Sequence, residues 1–142
     1  MAKRVPFEAA HALRIHLQPR QHEGASYADR RHYEQLAKTP AFTVLDGDEV
    51  LMCAGTLEVW PGRHVCWSML AEGVGHRMVS CVRHALRFLS ERPAGRYEMD
   101  VELGHAEGER MARALGFALE TPRLVSFYPN GGDGTMYVRV MR

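Results

Sequence analysis

The segment Leu70-Ala71-Glu72-Gly73-Val74-Gly75-His76-Arg77 concentrates residue types that suit an anionic ligand. Gly73 and Gly75 let the backbone approach a guest closely, a helix starting just after them offers free N–H groups, and His76 and Arg77 add positive charge. A pyrophosphate fits that description. The same Gly-x-Gly pattern also makes ordinary tight turns, so its meaning depends on the elements around it. Other chemistry is poorly supported. His11, His16, His22, His32, His64, His76, His84 and His105 form neither a His-Glu-x-x-His nor a His-x-His pair, and no metal site is expected. Cys53, Cys66 and Cys81 are an odd number without a Cys-x-x-Cys, which points to reduced and mostly buried thiols.

The chain has 142 residues, 46% hydrophobic and 25% charged, which matches an ordinary folded protein and leads to the expectation of one domain over residues 1–142. Lys and Arg number 18 against 17 Asp and Glu, and a net charge of +1 lacks the broad positive field of a nucleic-acid binder. Trp60, Trp67, Tyr97, Phe117, Phe127 and Tyr128 have strand spacing and read as core rather than as a base-stacking platform. Arg20, Arg30, Arg31 and His32 read as a solvated helix face, with docking of an acidic partner or phosphate as the alternative. No apolar run reaches the roughly 18 to 20 residues of a membrane span, and Met1 to Glu8 leads into charge rather than a signal-peptide core. The expectation is a cytoplasmic protein without membrane insertion.

The elements that must position the loop follow from hydrophobic periods and turn signals. Phe7, Ala10, Leu13 and Leu17 predict a first helix that stops before Pro19. Ser26, with Asp29 three residues on, predicts the cap of a second helix that carries Tyr33, Leu36 and Ala37 inward and ends near Thr39-Pro40. Ala41 to Asp46, Glu49 to Trp60 and Arg63 to Leu70 then read as strands joined by Asp46-Gly47 and Trp60-Pro61-Gly62-Arg63 turns, an antiparallel meander. Met78, Val79, Val82, Ala85, Leu86 and Leu89 mark the apolar stripe of a long helix over Gly75 to Arg92. Tyr97, Met99, Val101 and Leu103 alternate with Glu98, Asp100 and Glu102, as a strand with one polar face does. A shorter helix from His105 to Leu115 ends at Gly116, and strands over Leu119 to Tyr128 and Thr135 to Met141 complete the chain.

This order predicts an α/β fold: a mixed, mostly antiparallel sheet with helices on both faces and one β-α-β crossover, right-handed, from Arg63–Leu70 to a parallel strand at Arg96–Leu103. Ligands of such sheets lie beyond the carboxyl ends of parallel strands, beside the amino end of the crossover helix. The glycine loop occupies that place.

With those elements and Ala112-Arg113-Ala114-Leu115-Gly116-Phe117, the chain resembles the GCN5-related N-acetyltransferases, the GNAT superfamily, over nearly its whole length. Leu17-Gln18-Pro19-Arg20-Gln21, Leu45-Asp46-Gly47-Asp48, Cys53-Ala54-Gly55 and Glu58-Val59-Trp60-Pro61-Gly62-Arg63 resemble more narrowly a compact GNAT-like group of bacteriophages and prophages. The resemblance implies acetyl-coenzyme A as co-substrate in a fork between Arg63–Leu70 and Arg96–Leu103, held by Met69, Leu70, Ala71, Gly73, Val74, Gly75, His76 and Arg77. An amine acceptor of unknown identity would receive the acetyl group.

Two positions depart from the family pattern. Leu70 stands where its loop has Gln or Arg, and Ala112 stands where a tyrosine protonates the departing thiolate. A base with a pKa near neutrality is also required, and Glu58, Ser68, Glu102 and His105 are the candidates beside the fork. Each has a plainer reading as well: a solvated carboxylate at Glu58 or Glu102, a strand hydroxyl at Ser68, and a helix cap or exposed ring at His105. The alternative function is a non-catalytic phage virion or assembly component, or a protein that binds a host protein, retaining the fold as a scaffold.

Overall fold

The computed structural model describes all residues, 1–142. The strands are β1 (Ala2–Pro6), β2 (Ala41–Asp46), β3 (Glu49–Trp60), β4 (Arg63–Leu70), β5 (Gly95–Glu102), β6 (Ala118–Leu124) and β7 (Gly134–Met141). The helices are α1 (Ala9–Arg14), α2 (His22–Ala25), α3 (Arg30–Leu36), α4 (Met78–Ser90) and α5 (Ala106–Ala114), with single 3-10 turns at Pro19–Gln21 and Gly75–Arg77. The seven strands form one sheet in the order β1-β2-β3-β4-β5-β7-β6, mostly antiparallel, with β4 and β5 parallel on either side of α4. Two compact units divide the chain, one of residues 1–57 and 67–91, the other of residues 58–66 and 92–142.

The meander has the expected limits, because alternating side chains and glycine-bearing turns specify the same register. The amino terminus differs from its helical expectation. Ala2–Pro6 is an edge strand, paired with β2 from Ala2↔Asp46 to Pro6↔Phe42, and its Lys3 and Arg4 mask the two-residue period, as edge charges commonly do. The first helix shortens to α1, with Phe7 buried ahead of it and Leu17 beyond it in a bridge to Ala71.

Ser26 does not open the second helix. It closes α2, its hydroxyl donating to the Glu23 carbonyl, while Asp29 caps α3 by accepting the His32 N–H at 2.9 Å. Both residue types make good caps, and the start at Arg30 is the one that turns Tyr33 and Leu36 into the core. Ala37, expected inward, is the exposed end of that helix.

The buried face of α4 is also rotated from the expected stripe. Cys81, Ala85, Phe88 and Leu89 are buried, Leu86 is half-buried and Val79 is 60% exposed. Residues 81, 85, 88 and 89 follow the i, i+4, i+7, i+8 spacing of one helix face, and β1 and β2 are the elements that α4 meets. Phe88 packs on Phe42 with ring centroids 4.8 Å apart. Elsewhere in this unit Gly55 is tightly enclosed: a Cβ there would stand 2.6 Å from the Pro40 carbonyl oxygen and 2.9 Å from Trp67 Nε1.

The three cysteines are free, and burial raises their thiols to about 12 at Cys53 and Cys66 and about 11 at Cys81. The thiolate is the reactive form, so iodoacetamide at pH 8 is expected to leave all three unmodified in the folded protein and to label them in denaturant. Mass spectrometry of the intact chain checks this. Rapid labelling without denaturant would place a thiol at the surface.

In the second unit β7 pairs along the full length of β5, from Gly95↔Met141 to Glu102↔Gly134, and with β6 on its other side. β6 stops at Leu124 rather than Tyr128. Its register shifts twice, Pro122 lacks an N–H for the ladder, and Ser126 turns the chain with φ at 50°. The helix α5 ends as expected, with Gly116 at φ 87° and Phe117 buried.

The polar face of β5 is not a solvated one. Glu98 is buried and takes Arg63 Nε and Nη2, each at 2.9 Å, and Arg96 Nε at 2.7 Å, while Arg96 also grips Glu120 at 2.6 and 2.7 Å. The bond from Arg63, and then that from Arg96, holds the Glu98 carboxyl below its usual range. A depressed carboxyl contributes stability above its unfolded pKa of about 4.3 and loses it as pH falls through the folded value. Glu98→Gln is therefore expected to cost about 1.5–3 kcal/mol at pH 7, the usual range for a hydrogen bond to a charged group, and to cost progressively less below pH about 4. Urea denaturation of both proteins across pH checks it, and a pH-independent difference would contradict the assignment.

Candidate active site

The carboxyl end of β4 leads into the glycine loop within the first unit. The Ala71 N–H donates to the Leu51 carbonyl on β3 at 2.9 Å, and Glu72 N–H to the His16 carbonyl at 2.7 Å, so the loop is anchored where it leaves the sheet. Met69, Ala71 and Val74 are buried, which turns Gly73, Gly75 and His76 outward. Gly73 and Gly75 have φ of 74° and 58°, a conformation that side chains other than glycine resist, and a Cβ at either would meet nothing within 4 Å. No hydrogen bond takes the N–H groups of Gly73 or Gly75, and α4 follows directly after the 3-10 turn. Open space and unpartnered backbone donors fit an anionic phosphate group.

Arg77 has a different task from the one its charge predicts. Its Nη1 lies 2.7 Å from Glu49 Oε1 and 3.1 Å from Asp46 Oδ2, and its Nη2 3.1 Å from Glu49 Oε2. The same guanidinium donates to the Gly73 carbonyl from Nη2 and to the Val74 carbonyl from Nε, both at 3.2 Å. These bonds hold the Asp46 and Glu49 carboxyls below their usual range and raise the guanidinium. Arg77 thus ties the loop to the β2–β3 hairpin and neutralises two carboxylates that would repel an anion. The donors left for a ligand are backbone amides and His76.

Ser68 is half-buried in β4, two residues before Leu70, so it shares a strand edge with the start of the loop. The other catalytic candidates belong to the second unit. Glu58 is exposed near the end of β3. Glu102 ends β5 and His105 begins α5, joined through a turn in which His105 N–H donates to the Glu102 carbonyl at 3.0 Å. The His105 ring makes no helix-capping bond, and a Cβ at Gly108 would come within 2.7 Å of its Nδ1, so the ring lies back over the first turn of α5.

Ala112 is fully buried on α5 and carries no proton to give. A tyrosine there would overfill the space, at about 1–3 kcal/mol or more, so Ala112→Tyr is not a simple restoration of an acid. The neighbouring phenol comes from β7: Tyr137, fully buried, donates to Glu109 Oε1 at 3.2 Å. A second phenol lies on the loop after β6, where Tyr128 donates to Asp100 Oδ2 at 2.9 Å and is pushed upward by burial and by that carboxylate. Sequence reasoning singled out neither pair, because the partners stand 28 residues apart in both cases. Asp46 and Glu49 were legible only as hairpin residues, with no local signal tying them to Arg77.

Comparison of the sequence with protein families and with curated proteins finds no match. The fold does match solved structures. Ard1 from Thermoplasma volcanium superposes with a TM-score of 0.76 at 10% identity, covering 99% of this chain and 98% of that one. A spermidine N-acetyltransferase chimera of SpeG from Vibrio cholerae and hSSAT gives 0.70 at 16% identity, over 98% and 95% of the two chains. A GNAT-family acetyltransferase from Bacillus anthracis gives 0.68 at 10% identity, over 98% and 94%. The chain therefore has the fold of GNAT acetyltransferases, as its element order predicts. No helix is long and apolar enough to cross a membrane.

Proposed function

We propose that this chain binds acetyl-coenzyme A at the Gly73–Gly75 loop and transfers the acetyl group to an amine. The observation that carries the reading is the loop itself: open glycine positions and unpartnered amides at the start of α4, held in shape by Arg77. Likeness of fold to acetyltransferases supports it by analogy. The amides of Gly73 and Gly75, on either side of Val74, would hold the pyrophosphate with His76, and Met69, Leu70 and Ala71 would line its approach along β4. The reaction forms an amide C–N bond and breaks the thioester C–S bond, so the amine must give up a proton and the thiolate must be stabilised or receive one. His105, Glu102, Ser68 and Glu58 are the candidates for moving those protons, with His105 first because a neutral imidazole carries a donor on one ring nitrogen and an acceptor on the other. Release of free coenzyme A thiol in the presence of polyamines and amine-terminated peptides tests the activity. His105→Ala is expected to lower kcat while leaving the KM for acetyl-coenzyme A unchanged, and normal turnover would remove His105 from the mechanism.

A second reading is favoured by the buried Ala112, which leaves α5 without the expected acid. On that reading the protein is a non-catalytic component of a phage particle or binds a host protein. Stoichiometric recovery of the chain from purified particles, with no thiol release, is the outcome it predicts.

A further inference from the structure

The Leu17–Gln21 segment lies along β4, joined to it by the Leu17–Ala71 bridge. Successive residues of a strand turn their backbone groups to opposite edges. Ala71 donates to Leu51 on β3, so Leu70 and Ser68 present theirs at the other edge of β4. There Gln18 N–H donates to the Leu70 carbonyl at 2.9 Å, Leu70 N–H donates to Gln21 Oε1 at 2.8 Å, and Gln21 Nε2 donates to the Ser68 carbonyl at 2.9 Å. Gln18 Nε2 donates to Gln21 Oε1 at 3.1 Å and fixes the orientation of the carboxamide. One side-chain amide therefore takes the N–H and the C=O that a single residue of a parallel neighbouring strand would take.

We propose that Gln21 is a built-in competitor at this edge, a strap that an amide-bearing ligand must displace from Ser68 and Leu70 before it binds beside the glycine loop. The inference rests on the acetyl-coenzyme A reading. Ser68 and Leu70 directly precede the loop, so an extended chain leaving a phosphate on Gly73–Gly75 and following β4 meets them next. The acyl carrier has two successive secondary amides, and the N–H of one with the C=O of the other can offer β4 the donor and acceptor that Gln21 presents. Backbone bonds and the Leu17–Ala71 bridge hold the segment itself, while Gln21 is half-buried beside the exposed Pro19 and Arg20, so its carboxamide can turn away from β4 without opening the core.

Calorimetric titration with acetyl-coenzyme A, on the wild-type protein, Gln21→Ala and Gln21→Glu, tests the proposal. Gln21→Ala frees both groups of the edge and is expected to bind roughly five- to tenfold tighter, the scale of one or two lost hydrogen bonds. Gln21→Glu keeps the acceptor for Leu70 N–H but cannot donate to the Ser68 carbonyl, and is expected to show an intermediate gain. Hydrogen exchange at the Leu70 amide supplies an independent readout: slow in the wild type, fast in Gln21→Ala, and slow again when acetyl-coenzyme A is added. Equal or weaker binding by both variants, with unchanged melting temperatures, overturns the proposal. Absence of binding by all three proteins overturns the acetyl-coenzyme A reading instead, and the strap's role falls with it.

Discussion

Gly75→Glu is expected to abolish acetyl-coenzyme A binding, weakening it by about 100-fold or more, while the chain stays folded. The position has φ of 58°, and a Cβ there meets no atom within 4 Å, so the new side chain enters open space rather than the core. Holding a non-glycine residue in this conformation costs roughly 1–2 kcal/mol, which a domain of this size survives. The carboxylate would stand beside the free amides of Gly73 and Gly75, where the pyrophosphate is proposed to sit, so bulk and charge oppose binding together. A 100-fold loss corresponds to about 2.7 kcal/mol. Calorimetry and a melting curve on the same preparation separate the two effects. Unchanged affinity in a folded variant would remove the loop from the site.

Phe88→Ala carries the largest expected loss of stability, about 3–5 kcal/mol. Phe88 is buried on the face of α4 that meets β1 and β2, and its ring packs on Phe42 at 4.8 Å between centroids. Removing it empties space between a helix and the sheet that neighbouring side chains, themselves close-packed, fill only in part. Leu86→Ala, on a half-buried position of the same helix, is expected to cost clearly less. Urea denaturation of the two variants ranks them. A reversed order would mean that α4 presents the face marked by Val79 and Leu86, as hydropathy alone suggests.

What the sequence revealed and what it hid follow from how local each signal is. The limits of β2, β3 and β4 were legible because Asp46-Gly47 and Trp60-Pro61-Gly62-Arg63 impose turns between alternating runs. The end of α5 was legible for the same reason, with Gly116 stopping the helix and Phe117 returning to the core. The crossover by itself places the glycine loop at the carboxyl end of β4. Interactions between distant residues had no such signal. Arg77 reads as a ligand-facing cation until Asp46 and Glu49, 31 and 28 residues earlier, are seen to hold it. Glu98 reads as a solvated carboxylate until Arg63 and Arg96 enclose it, since alternation cannot distinguish a wet polar face from a neutralised one. Gln21 reads as a loop residue. Its carboxamide acquires meaning only when Ser68 and Leu70, 47 and 49 residues later, are found on either side of it.

Binding of acetyl-coenzyme A by the loop at the start of α4 is open to a thermal-shift titration. A ligand that binds only the folded state, present at about 100 times its dissociation constant, stabilises by about 2.7 kcal/mol, which raises the melting temperature by several degrees. A saturable rise with acetyl-coenzyme A is expected in the wild-type protein and none in Gly75→Glu. An unchanged melting temperature of the wild-type protein at millimolar acetyl-coenzyme A, or an equal rise in both proteins, would contradict it.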